Sequence, residues 1–311
     1  MRLKTIAALA AAVLAAGAHA AAANPFIVEP VKPAFSATFA MRYWYAMGST
    51  GKDLYGLTRD VLNSRLSYTG LQSHTAEAVF RVDHDSGLFW KGYGGLGVLT
   101  GGKLQDEDFP PDTTPYSSTD SSLQNQTIGY LSTDIGGAIL RGRDFRLDGF
   151  VGYHYLRLRT KALGCTQMAT NPTICSPSLP DSVAVLVQDN NWHSLRLGLA
   201  ADVPIVDRLR LNVEGAVLPY VWLKGSDDHL LVPDFNGAVP EHGHGWGYQL
   251  EATLTYALTD AWSVGVGGRY WHMETRGESD FSASGTPPQP LDFKVDVYGV
   301  YLQGSYRFGG L

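Results

Sequence analysis

The sequence is poor in charge and has no basic cluster. Charged residues make up 17% of its 311, the net charge is −6, and Lys and Arg are scattered, so nothing marks a nucleic-acid-binding surface. Cysteine is nearly absent. Cys165 and Cys175 are the only two, close together in one polar segment. That spacing fits neither a CxxC redox motif nor a zinc site, and an exported pair this close is expected to form a local disulfide. Long hydrophobic runs are missing as well. Ile6 to Ala16 is apolar but too short to span a bilayer as a helix, which takes about 20 residues. It follows Arg2 and Lys4 and precedes Ala18-His19-Ala20, the order of features in a cleaved signal peptide. Residues 1–20 are therefore expected to be removed, with Ala23 as an alternative cut, leaving residues 24–311 as one domain. No later stretch is long and apolar enough for a transmembrane helix.

What the chain has instead is alternation, among 35 glycines and 16 tyrosines. Tyr248, Leu250, Ala252, Leu254, Tyr256 and Leu258 alternate with Gln249, Glu251, Thr253 and Thr255. Leu209, Leu211, Val213 and Val217 oppose Arg210, Asn212 and Glu214. The leucines of Leu195 to Val203 oppose Ser194, Arg196 and Gly198, and Trp262, Val264, Val266 and Tyr270 oppose Ser263, Gly265, Gly267 and Arg269. A period of two with one apolar face is a strand with one face away from water.

Connection lengths separate a soluble sandwich from a membrane barrel. The strand-like segments are 36–48, 60–84, 87–100, 121–140, 145–160, 183–204, 208–224, 246–258, 261–275 and 293–308. The joins alternate between long (49–59, 101–120, 161–181, 225–245, 276–292) and tight. An even number of strands, with short turns at one end and long loops at the other, is the signature of a bacterial outer-membrane barrel. The expected fold is all-β, a ten-stranded antiparallel transmembrane β-barrel with five long extracellular loops and short periplasmic turns. Trp90, Tyr93, Tyr153, Tyr155, Trp262 and Tyr270 lie toward strand ends, as interfacial girdles do. Several segments exceed the about 9–11 residues a tilted strand needs to cross, so the barrel should stand above the membrane on its long-loop side.

Two connections on that side carry chemistry. Gln105-Asp106-Glu107-Asp108-Phe109 lies in the second and Ser226-Asp227-Asp228-His229 in the fourth. In extended chain, residues two apart share a face, so Asp106 and Asp108 can both point into the mouth, as can Asp227 and His229. A histidine oriented by a carboxylate takes a proton from water. Two close carboxylates raise one pKa, so that one keeps a proton and polarises a carbonyl. Glu241-His242-Gly243-His244 offers ligand types for zinc, but its glycines loosen the segment and nothing completes a site.

These motifs resemble the omptin family of outer-membrane proteases, described as ten-stranded barrels with Asp-x-Asp in the second outer loop and Asp-x-His in the fourth. The likeness extends to the long second segment containing Ser64-Arg65-Leu66 and to the closing Tyr306-Arg307-Phe308. It implies that Asp227 and His229 activate water and that Asp106 and Asp108 complete the site, with no metal or other cofactor. It implies a peptide or protein substrate outside the cell. It also implies lipopolysaccharide gripped by the outer wall and needed for activity, with Tyr153 and Arg157 resembling part of that grip. The family's preference for basic residues rests on an acidic pocket. One of its acids lies two residues before the catalytic Asp, where this chain has Gly225. Asp53 in the first loop is the candidate for a retained pocket acid. Two non-proteolytic readings stand beside this one: a barrel of the same shape acting as an adhesin or surface-interaction protein, and a narrow channel. Arg196, Arg210, Glu214, Glu251 and Arg269 predict a plugged, cross-paired interior, against the channel.

Overall fold

A computed structural model describes residues 34–109, 113–124, 126–142, 145–232 and 237–308. The expected signal peptide, residues 1–20, and the alternative cut at Ala23 lie outside the described residues. Eleven strands are present: β1 (Phe35–Tyr55), β2 (Leu62–His84), β3 (Leu88–Asp108), β4 (Ser117–Leu123), β5 (Gln126–Arg141), β6 (Arg146–Gln167), β7 (Leu179–Val206), β8 (Leu209–His229), β9 (Val239–Ala257), β10 (Trp262–Ser279) and β11 (Gln289–Phe308). β4 and β5 both pair between β3 and β6, so they share one place in the ring. Every neighbouring pair is antiparallel, and β1 pairs with both β2 and β11, which closes the sheet. The result is a ten-stave barrel, the expected fold.

Its exterior carries the apolar face of the alternation. Leu195, Leu197 and Leu199 are about half exposed, as are Val264, Val266, Val300 and Leu302. Such a belt on an edgeless sheet is built for hydrocarbon, where each backbone polar group must be satisfied within the protein. Trp262, Tyr256, Trp90 and Phe308 edge the belt at the tight-turn end, and Tyr43, Tyr298, Trp246 and Trp222 edge it at the other. Tyr93 corrects the girdle expected from sequence. It faces inward, stacked on Trp271 at 6.4 Å and lying under the Arg269 guanidinium at 4.2 Å. On the lower part of β3 it is the even positions, Leu88, Trp90, Leu96 and Val98, that meet the outside.

The lumen is filled in layers. Toward the tight turns, Arg196 bonds Asp134 and Glu214, while Arg269 bonds Glu77 and Glu251. Above these lie Trp44, Tyr130, Trp271 and Tyr301, and then an apolar layer with Trp192, Leu218, Val221, Leu223 and Phe293, all at most 4% exposed. A cavity of about 540 Å³ opens below this plug, among Arg42, Arg81, Lys91 and Glu214. It lies at the opposite end from the candidate site. The interior is thus plugged and cross-paired, as its charged residues predict.

The strands run further than the alternation predicts. β1 continues to Tyr55, β3 to Asp108 and β8 to His229, and β9 resumes at Val239. Most of the stretch 225–245 is therefore paired strand and not loop. Outside the membrane both faces meet water or a polar mouth, so the alternation disappears while the hydrogen-bond ladder goes on.

Candidate active site

Irregular pairings decide which side chains enter the mouth. On lower β3 the odd residues are buried (Phe89, Leu99), and on lower β8 the odd residues are outside (Val213, Val217). Extrapolated without interruption, those phases would send Asp106, Asp108, Asp227 and His229 outward. The register shifts near Gly101 on β3 and between Leu218 and Val221 on β8. Above the shifts the phase is reversed: Leu104, Val221, Leu223 and Asp227 are all buried. A bulge inserts one residue and turns every later side chain to the other face. On β2 the same reversal surrounds Gly70, whose φ of +62° suits a residue without Cβ. Pro219, which has no N–H to give the ladder, sits in the β8 irregularity.

With the phase reversed, Lys52, Leu66 and Asp106 lie in one cross-strand row on β1, β2 and β3. Leu54, Ser64 and Asp108 form the next row outward. Across the mouth, Asp227 pairs with Gln188 on one side and Val239 on the other, and His229 pairs with Leu186. His229 Nδ1 lies 3.4 Å from Asp227 Oδ2. Lys52 is buried and reaches across to donate to Asp227 Oδ2 and to Glu241 Oε1, both at 2.5 Å. Gln188 Nε2 donates to the other oxygen of Glu241 at 2.6 Å and to Asn190 Oδ1 at 3.0 Å.

The electrostatics join the two halves. The Asp106 carboxyl is pushed up to about 7, first by burial and then by the Asp108 charge; Asp227 adds to the rise, and His229 and Lys52 oppose it. Asp108 is also raised by burial, against a hydrogen bond from Ser64 and the His229 charge. Burial holds Glu241 above the usual carboxylate range although Lys52 opposes this. Burial works to strip the proton from Lys52, but Asp227 and Glu241 outweigh it and hold the ammonium charged. Tyr68 is fully buried, which lifts its hydroxyl well above its ordinary range, with Asp227, Glu241 and Asp106 adding to the effect.

The four acid–base residues singled out from sequence thus act on one another in one mouth. Asp53 does not join them. It follows Lys52 in an extended strand and so faces the other way, held by two hydrogen bonds from Arg65 at 2.7 and 2.8 Å. Tyr153 and Arg157 lie on the outer wall. Tyr153 Oη shares a hydrogen bond with His193 Nδ1 at 2.5 Å, and Arg157 donates to both oxygens of Asp189 at 3.0 and 2.6 Å. Glu241, His242 and His244 diverge: Glu241 turns inward, His242 lies 3.3 Å from Glu278, and His244 meets the Tyr220 hydroxyl. No group of three metal-ligand residues converges among the described residues. Cys165 and Cys175 are joined in a disulfide. Lys52 and Gln188 are not singled out by any motif in the sequence, and Glu241 only as a zinc-ligand type in Glu241-His242-Gly243-His244. Glu241 shares the inward phase of Gln249 and Thr253 on the same strand, and that phase is the signal the sequence offers for it.

No protein-family model matches the chain, and no curated protein sequence aligns with it significantly. Its fold is similar to that of the outer membrane protease OmpT from Escherichia coli, with a TM-score of 0.74 and 15% identity over 88% of this chain and 97% of that one. Similarity is weaker to the outer membrane protein OprG from Pseudomonas aeruginosa (TM-score 0.37, 12% identity, 89% of this chain and 97% of that one) and to outer membrane protein AlkL (0.34, 12%, 95% and 96%). At such identities the likeness is one of fold. The architecture is that of an outer-membrane barrel.

Proposed function

We propose that this protein is an outer-membrane endopeptidase of the omptin type, with its mouth facing out of the cell. The observation that carries the reading is the Asp106 carboxyl held at about 7 amid Asp108, His229, Asp227 and Lys52. A carboxyl that keeps its proton near neutrality, beside an imidazole paired with a carboxylate, has the groups needed for direct attack of water on an amide.

In this mechanism His229 takes a proton as the water oxygen bonds to the carbonyl carbon, and Asp227 steadies the imidazolium. Protonated Asp106 donates a hydrogen bond to the carbonyl oxygen as that oxygen takes up the electron pair of the C=O bond. Collapse breaks the C–N bond, and the proton on His229 passes to the leaving amine. No covalent intermediate is required. The bilayer and its lipopolysaccharide are the proposed partners, with Tyr153 and Arg157 on the gripping wall and lipopolysaccharide required for activity.

The test is cleavage of a peptide library by protein refolded with lipopolysaccharide, comparing wild type with His229→Ala and Asp106→Asn. Loss of cleavage in both variants, with the barrel still folded, is the expected result. One observation favours a second reading, a non-catalytic surface barrel: Asp227 Oδ2 is closer to Lys52 (2.5 Å) than to His229 (3.4 Å). That reading predicts no cleavage by wild type anywhere in the library.

A further inference from the structure

Lys52 is a buried cation whose task the mechanism does not define. Its side chain is 4% exposed and ends between two carboxylates on the far side of the mouth. A lysine is rarely buried unless paired, and here it is paired with Asp227, the carboxylate beside His229, and with Glu241. One Asp227 oxygen and one Glu241 oxygen each take the ammonium at 2.5 Å, and the second Glu241 oxygen takes the Gln188 amide. Three acids on the neighbouring strands are spent or turned away. Asp53 and Glu107 flank Arg65 on the opposite face of the same strands, and Asp292 is bonded by Arg59. An acid at position 225 would first have to displace the Asn190 amide, because a Cβ there would stand 2.4 Å from Asn190 Oδ1.

We infer that Lys52 determines specificity: its ammonium fills the anionic pocket beside Asp227 that a substrate lysine or arginine would otherwise enter, so the site takes peptide bonds flanked by uncharged side chains. A basic substrate side chain entering this pocket would meet a fixed positive charge, with Asp227 and Glu241 already bonded to it. The rim agrees with uncharged substrates. Leu230, Leu231 and Val232 follow His229 and are 44%, 49% and 38% exposed, and Tyr116, 47% exposed, donates its backbone N–H to the Asp108 carbonyl at 2.9 Å. The substrate class rests on the peptidase reading; the occupied pocket rests on the geometry alone.

The test separates the two. n-Propylammonium, the arm that Lys52→Ala removes, is titrated calorimetrically into refolded wild type, Lys52→Ala and Lys52→Ala/Glu241→Gln. The expected result is no binding to wild type and binding to Lys52→Ala, weakened roughly tenfold or more in the double variant, as for loss of one charge-assisted hydrogen bond. The same proteins then meet a peptide library. Wild type is expected to cut beside uncharged residues and spare lysine and arginine, and Lys52→Ala to gain cleavage at lysine. Equal propylammonium binding by wild type and variant, no binding by the variant, or cutting beside lysine by wild type overturns the inference. Binding as expected, with no peptide cut by any form, keeps the pocket assignment and removes the peptidase reading. If Lys52→Ala does not fold, Lys52→Gln with methylammonium carries the same comparison: binding by the variant alone supports the occupied pocket, and equal binding or none overturns it.

Discussion

Asp106 should make the barrel less stable as pH rises toward neutrality, and the structure sets the size of the effect. Its carboxyl moves from an ordinary value of 3.8 to about 7 on folding, first through burial and then through the Asp108 charge. A pKa raised on folding stabilises fully below the unfolded value, and that stability is lost as pH climbs through the folded value. The window therefore runs from about pH 4 to about pH 7. At about 1.4 kcal/mol per unit, the ceiling is roughly 4 kcal/mol, and partial exposure to water lowers it. The assay is urea unfolding in lipid bilayers at several pH values, wild type against Asp106→Asn. Asparagine does not titrate, so the wild-type stability should fall relative to the variant by up to about 1.4 kcal/mol per pH unit inside the window. Asp108→Asn removes the neighbouring charge and should narrow the window from its upper end. A wild-type minus Asp106→Asn difference that stays flat from pH 4 to 8, or grows with pH, would refute the raised carboxyl.

Other perturbations follow from the same geometry. Asp106→Asn should lower the peptidase rate by about 10²–10⁴-fold, read in initial-rate assays, because one positioned proton donor is lost. Gly102→Val should impair folding, measured by heat-modifiable electrophoretic mobility, since φ is +146° there and a Cβ would stand 2.8 Å from Leu71 Cδ2. Arg269→Ala removes one of the two buried arginines, Arg42 being the other, that Glu77 and Glu251 share, and should cost about 3 kcal/mol in bilayer unfolding. Asp189→Asn frees the Arg157 guanidinium and should lower the lipopolysaccharide concentration needed for half-maximal activity; an unchanged requirement would remove Arg157 from the lipid-binding wall.

The barrel is legible in the sequence because lipid enforces a period of two. Leu195, Leu197 and Leu199 against Ser194 and Arg196 need no tertiary information to be read as a wall with one face in hydrocarbon and one in a polar lumen. Alternating connection lengths then supply strand number and closure. Where the walls leave the membrane that constraint ends. Alternation accordingly marks the strand ends short, at residue 100 on β3 and 224 on β8, although pairing continues to Asp108 and His229.

The candidate site is legible only as residue types and spacings. Asp-x-Asp and Asp-x-His predict shared faces, but not which face. That is decided by the irregular pairings near Gly70, Gly101 and Pro219, where an inserted residue reverses the phase and turns both pairs into the mouth. Lys52, Gln188 and Glu241 cannot be joined to Asp227 from the chain alone, since 175 residues separate Lys52 from Asp227. Local sequence reports the solvent on each side of a strand. Only closure of the barrel brings β1 opposite β8 and β9, and with it the cation that sits between their carboxylates.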